Sequence, residues 1–404
     1  MSSKRAGANA GQTKTIDALR LEQIRAAIPA LRHGIYLNTG TFGPMPSMVA
    51  DEIRRVYGEI ERQGTFAPEI FWQMELEGFE ATRRQVAHLL HADPAEISLT
   101  RNVTDGINIV LHGLDWQPGD QVIVTDHEHP SGTVPWLALA ERAGVELRWL
   151  ELAEDADETV ARFERLLNPK TRLAQLSHVS CLTGLRLPIE RLSRLARQAG
   201  ALTLVDGAHA EGQFAVDAPS LGCDFYAACG HKWLLGPQGV GMLWMRREHV
   251  QRLRPIWLGW DVGQPFDRAS RSYQLQETAA RFEQSTRAWP LYLAFGKAIE
   301  FIEGVGLAAI EARVQELRRV FIRSLTAMPG VTLLSPDDAP LGTGLVTVRV
   351  AGWPCELLQQ RLWDRQHIIT NVIREFDAVR FSLAFFTSQP ELAVALAALD
   401  DVAY

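Results

Sequence analysis

VDGAHAEGQFAVDAPSLGCDFYAACGHKWLLGPQGVG, residues 205–241, decides how the chain folds. Two apolar runs frame it. One ends ALTLV at Asp206, and the next, DFYAAC, stops just before Lys232. Read as neighbouring strands of one sheet, they set a carboxylate and an amine at corresponding edges, where ligands of open α/β sheets gather. A buried carboxylate there needs a cationic partner. A lysine flanked by His231 and Trp233 in an apolar, cationic setting is depressed in pKa and nucleophilic, as Schiff-base chemistry requires. Taken alone, such a lysine reads equally as a surface side chain with a buried stem. The glycines of GPQGVG (236–241) lack the order and the following helix of a dinucleotide fingerprint, because strand-like MLWM comes next. They suit close passage of backbone past a ligand or a neighbouring subunit.

Outward from this stretch, the runs EISLT, QVIVTD, LAQLSHVS and GMLWM alternate with helical patterns such as IERLSRLARQAG, which predicts βαβ units and a mostly parallel sheet. Before it, TIDALRLEQIRAAIP has helical spacing, IYLNTGTFGPMP reads as a loop, and one long helix is predicted over about 47–90. After it, long helices near STRAWPLYLAFGKAIEF, a strand LVTVRV, a helix at CELLQQRLW and a strand VRFSLAF predict a smaller α+β domain. The expected division is a disordered tail (1–15), an N-terminal segment (16–46), a large domain (47–290) and a small C-terminal domain (291–404).

The chain has 404 residues, 47% of them hydrophobic, enough for a large core with a second, smaller unit. A net charge of -7 without any Lys/Arg run argues against nucleic acid as a partner, so an anionic ligand must be held locally. No apolar stretch is long enough to cross a bilayer, and the small, polar first residues lack the apolar core of a secretory signal. Cys181, Cys223, Cys229 and Cys355 are scattered without a CxxC pair. Neither a disulfide framework nor structural zinc is expected, and a cytoplasmic location follows.

Two further segments carry chemistry. In SLTRNVTDGINIVLHGL, a helix with Ile107, Val110, Leu111 and Leu114 on its apolar face starts near Thr104 and Asp105. Its free amides and the Thr104 hydroxyl suit a phosphate, or form an ordinary cap. In TDHEHPSGTVPW, His127, Glu128 and His129 follow a strand. An imidazole there could stack on a flat ligand or act as a base; a metal pair lacks a third ligand cluster. Pyridoxal phosphate accounts for the whole set, since it needs a lysine, a carboxylate at its ring nitrogen, a stacking ring and an anion cradle. Lys232, Asp206, His129 and the Thr104 helix start supply these.

TRNVTDGINIVL, EHPSGTVPW, SHVSCLTGLRLPI, VDGAHAEGQ and GHKWLLGPQGVG resemble the class V aminotransferase family of fold-type I pyridoxal phosphate enzymes, from about Tyr36 onward. The resemblance implies a seven-stranded, mostly parallel sheet and an N-terminal segment that joins the small domain. It implies that Lys232 bonds to the cofactor aldehyde, Asp206 binds the pyridine nitrogen, His129 stacks on the ring and His209 contacts the ring hydroxyl. Thr104, the Asp105 backbone, His231 and Cys229 would hold the phosphate. RFEQSTRAWP resembles the segment a second subunit contributes, which implies a homodimer and nominates Thr286. Arg380 would clamp the carboxylate of a small amino-acid substrate, with Asn38 at the entrance.

Two departures stand out. Cys181 replaces an asparagine common in relatives, and HIITNVIREFDAV, before Arg380, lacks the cysteine on which desulfurases form a persulfide. The motifs look nearest to cystine lyases, which implies a carbon-sulfur β-lyase acting on cystine or another cysteine conjugate. Within the family, an aminotransferase or an epimerase would use the same residues. From another class, a noncatalytic cofactor-binding regulatory module would bring a helix-turn-helix extension that is not evident here. Phe71, Trp72, Trp257 and Trp260 read as pocket lining or, more simply, as core or dimer packing.

Overall fold

The computed structural model describes residues 15–259, 266–337 and 340–403. Residues 1–14 of the expected tail and Trp260 lie outside the described residues. In chain order the strands are β1 (Ile35–Tyr36), β2 (Ile97–Thr100), β3 (Gln121–Thr125), β4 (Glu146–Leu150), β5 (Thr171–Ser177), β6 (Leu202–Asp206), β7 (Phe225–Cys229) and β8 (Gly241–Met245), followed by β9 (Val331–Leu333), β10 (Leu345–Val350), β11 (Ile368–Ile369), β12 (Asn371–Ile373) and β13 (Ala378–Ser382).

Seven of them form one sheet in the order β2-β8-β7-β6-β5-β3-β4. Only β8 runs against the rest. Helices cover both faces, so the central strands are apolar runs buried on both sides rather than alternating ones. β4 is the exception: it is an edge strand, with Glu146 and Trp149 exposed. One face packs on the helices Ser47–Gln63, Gly78–Leu89, Ile189–Gln198 and Trp289–Val305, the other on Val103–Gly113 and Pro130–Ala143. No described helix is long and apolar enough to cross a membrane.

A second, antiparallel sheet in the order β12-β13-β10-β9 has its own core, closed by the helices Leu307–Thr326, Cys355–Gln366 and Gln389–Asp400. The N-terminal segment is tied to this unit. β1 pairs with β11, Ser382 N–H donates to the Leu37 carbonyl, and Arg25 forms a salt bridge with Glu391.

The long-helix expectation needs correction, and the domain division is proposed at a later position. The helix predicted over 47–90 is interrupted: Ser47–Gln63 ends at Gly64, whose φ of 81° leaves helical space, and Pro68 precedes a π-helical run, Glu69–Glu77, that continues into Gly78–Leu89. The boundary at 290/291 falls inside the helix Trp289–Val305, whose apolar residues belong to the large core. We propose the division at Gly306, where φ reaches 91° and the chain turns into Leu307–Thr326, whose Ile310 and Val314 still pack on the large core.

Candidate active site

The carboxyl ends of β2, β3, β5, β6 and β7 open into a cavity of about 460 Å³, within the range of small-molecule sites. Asp206, the last residue of β6, is buried and accepts a hydrogen bond from the Ala208 amide at 2.8 Å. Burial raises its pKa, while the charge of Lys232 pulls it back. Lys232 follows β7, and its Nζ lies 3.1 Å from His209 Nε2. The N-terminal loop clamps this lysine's backbone: Gly43 N–H donates to the His231 carbonyl at 2.7 Å, and a Cβ on Gly43 would stand 2.0 Å from the Lys232 carbonyl oxygen.

At one end of the cavity lies the start of the helix Val103–Gly113, with Asn102, Val103 and Thr104 in the lining. Asn102 is the cap, and its Oδ1 accepts from the Asp105 amide at 2.9 Å. Asp105 itself turns to Arg101 and does not line the cavity. The amide expected to meet a phosphate is thus already bonded, which leaves Val103 and Thr104 to present donors. His231 adds an imidazole whose buried Nδ1 has no partner; burial and then Lys232 lower its pKa to about 4. Cys229 closes β7 in the lining, its thiol pushed up to about 12 by burial.

Across the cavity, His129 caps the helix Pro130–Ala143 by accepting the Ser131 N–H on Nδ1. Its pKa is lowered by burial, with Lys232 and Arg380 adding to the effect. Glu128, one residue earlier, points inward and accepts from Thr125 Oγ1, Ser177 N and Ser177 Oγ, each at 2.8 Å. Burial first, then the charge of Asp206, raises Glu128 to about 7.

Arg380, on β13, brings the small domain into the site. Its guanidinium donates to the Cys181 carbonyl and, at 3.2 Å, to Thr41 Oγ1, while its buried Nε has no partner. Cys181 lines the cavity with its thiol pushed up to about 11 by burial. Asn38 stands behind the lining, accepting from Thr41 Oγ1 at 2.7 Å, so Thr41 rather than Asn38 faces the cavity. Thr286 is exposed, has a φ of 55° and lies away from this protomer's cavity. Its segment is anchored by the buried Glu283, which accepts from Leu99 N at 2.7 Å and pairs with Arg83.

Sequence reasoning missed Thr41, Asn102 and the stretch of β12 and the turn after it, Asn371 to Glu375, that completes the wall. Of these, only Asn102 left a signal, as a good cap residue three positions before Asp105.

The residues fit pyridoxal phosphate. A buried carboxylate, a lysine amine and an orphaned imidazole nitrogen beside unpaired helix amides surround one cavity, as a flat cationic ring with a phosphate arm requires. A carboxylate and a lysine on neighbouring parallel strand ends, with a small domain supplying an arginine, define a fold-type I pyridoxal phosphate enzyme. The family of class-V aminotransferases matches residues 35–391. Isopenicillin N epimerase of Streptomyces clavuligerus is 32% identical over 385 residues, covering 91% of this chain and 94% of the relative. A probable cysteine desulfurase of Pseudomonas aeruginosa is 33% identical over 376 residues, covering 90% and 92%. Among solved structures, the cystine C-S lyase C-DES, in complex with its reaction product cysteine persulfide, superposes with a TM-score of 0.87 at 29% identity, covering 93% of this chain and all of that one. The chain belongs to the class-V aminotransferase family, and it is a pyridoxal phosphate-dependent enzyme.

Proposed function

We propose that this enzyme is a carbon-sulfur β-lyase that, with one water, converts cystine or another cysteine conjugate to pyruvate, ammonia and a thiol or persulfide. Pyridoxal phosphate, when bound, supplies the electron sink that lets an amino acid lose its α-proton. The chain's own residues do the rest. Lys232 would hold the cofactor through its Nζ, and the same amine, when free, would take the α-proton. Asp206 holds the positive charge that the sink needs. Thr104, Val103 and His231, with Cys229 beside them, would hold the phosphate, and His129 would pack on the ring. His209 donates to the ring oxygen. Arg380 offers the substrate carboxylate its planar fork, and its partnerless Nε gains an acceptor.

The observation that carries the lyase reading is the wall before Arg380. Residues 368–377 contain no cysteine, so no thiol is presented to receive sulfur from the substrate. Cys181 faces the cavity, but its raised pKa makes it a poor nucleophile. Cys355 begins the helix Cys355–Gln366 and is buried away from the lining. Sulfur is therefore released with the leaving group, in line with the similarity to C-DES. The 32% identity to isopenicillin N epimerase favours a second reading, in which the proton is returned to the opposite face. We also propose a cytoplasmic homodimer in which Thr286 reaches the partner's phosphate site; its exposure in one protomer supports this.

The test incubates the cofactor-loaded enzyme with cystine and with a pool of other amino acids, then identifies products by mass spectrometry. Pyruvate formed with the visible absorbance of the loaded enzyme retained is expected. Loss of that absorbance with a keto acid matching its donor would establish transamination, and inversion of configuration without release would establish epimerisation.

A further inference from the structure

Lys232 has a tryptophan as its next residue, and that tryptophan is buried at 2% exposure. Its indole Nε1–H lies 3.3 Å from His209 Nδ1, while the other nitrogen of the same imidazole faces Lys232 Nζ at 3.1 Å. An indole can only donate, so Nδ1 must carry the lone pair and the proton of a neutral His209 must sit on Nε2. His209 is neutral at ordinary pH. Burial pushes its pKa well below the usual value, and Lys232, Arg380, His129 and His231 all add repulsion.

The arrangement is held from behind. Gln213 Nε2 donates to the His209 carbonyl at 2.5 Å, and Gln213 Oε1 accepts the Gly344 amide at 2.8 Å, which ties the loop to the strand β10. Gly212, with a φ of 89°, lets this loop lie against the Trp233 backbone; a Cβ there would come within 2.4 Å of the Trp233 carbonyl oxygen. Imidazole and indole are thus clamped at a fixed separation.

We infer that Trp233 is a positioning residue, whose indole N–H fixes His209 as the Nε2–H tautomer so that the imidazole presents a hydrogen-bond donor to the cofactor site. The inference rests on the cofactor placement proposed above. With its proton committed to Nε2, His209 offers a donor to an acceptor in the cofactor site, the ring oxygen of the bound cofactor in the placement proposed above. The opposite tautomer would turn a lone pair toward that oxygen and repel it.

The test uses the full chain labelled with 15N-histidine, first without cofactor, with H209Q to assign the signals. Wild type should show His209 with Nε2 protonated and Nδ1 bare. In W233F the balance should move roughly fivefold toward the Nδ1–H form, the worth of one typical hydrogen bond. After loading with pyridoxal phosphate, W233F should also shift the pH midpoint of the visible absorbance. In an H209Q background, the same substitution should have no such effect, because an amide has no tautomer to fix. A wild-type His209 carrying its proton on Nδ1 would overturn the inference. So would a W233F shift of equal size in both backgrounds, which would make Trp233 a packing residue only. Failure to load cofactor would count against the proposed function, while the nitrogen signals would still decide the role of Trp233.

Discussion

Arg380 is the residue on which the proposed substrate binding depends most. It is 4% exposed, and its charge is incompletely matched: a carbonyl and a hydroxyl accept from it, and Nε has nothing. Arg380→Lys should raise KM for the amino acid about 10- to 100-fold, because one ammonium cannot reproduce a bidentate, charge-assisted pair. Steady-state kinetics with cystine checks this. Lys232→Ala should lower kcat roughly a thousandfold with the fold intact by circular dichroism, the loss typical of a removed proton-transfer group. The meeting of Asp206 and Lys232 at one cavity was legible in the sequence because both follow from the ends of two apolar runs. Thr41 was not, because it sits in a loop with no periodicity, and only the return of β13 against the N-terminal segment makes it a neighbour of Arg380. Asp105 was misplaced by a shift in the cap: with Asn102 as cap, the amide three residues on is already bonded.

At the level of elements, the helix Val103–Gly113 joins stability to binding. Asn102→Ala should cost about 1 kcal/mol in denaturant unfolding, as cap losses do, and should weaken retention of pyridoxal phosphate by loosening the amides beside Thr104. The loop after β6 and the segment after β3 each bury a carboxyl. Glu211 is pushed up to about 8 and Glu128 to about 7, both chiefly by burial. An unfolded glutamate titrates near ~4.3, so between about pH 4.5 and 8 the folded chain keeps protons that the unfolded chain has lost. Unfolding in that window releases protons, and these two groups therefore make stability fall as pH rises through it. Glu211→Gln should flatten this slope, measured as the difference in urea midpoint between pH 5 and pH 8. An unchanged slope would show that Glu211 does not hold its proton. Short apolar or β-branched runs made the buried central strands legible. The edge strand β4 has two of its five residues exposed, and ELRWL gives no comparable run. The break at Gly64 is carried by backbone conformation, which a pattern of apolar spacing over 47–90 averages away.

For the whole molecule, two cores meet at one cavity. The large sheet brings the carboxylate, lysine and helix start together, and the small domain supplies Arg380 and the wall at Asn371–Glu375. That two-unit plan was legible from the change in pattern after residue 290. The place of the division was harder to read, since the helix Trp289–Val305 buries its apolar face in the large core and the turn after it rests on Gly306. If Thr286 serves the partner's site, sedimentation should give the mass of two copies, and Thr286→Ala should reduce cofactor retention without dissociating them. The central claim concerns Lys232, and borohydride reduction of the cofactor-loaded protein followed by peptide mass spectrometry tests it most directly. A pyridoxyl mass on the peptide containing Lys232 is the predicted result. The same mass on Lys170 or Lys297, or on no lysine at all, would contradict the account.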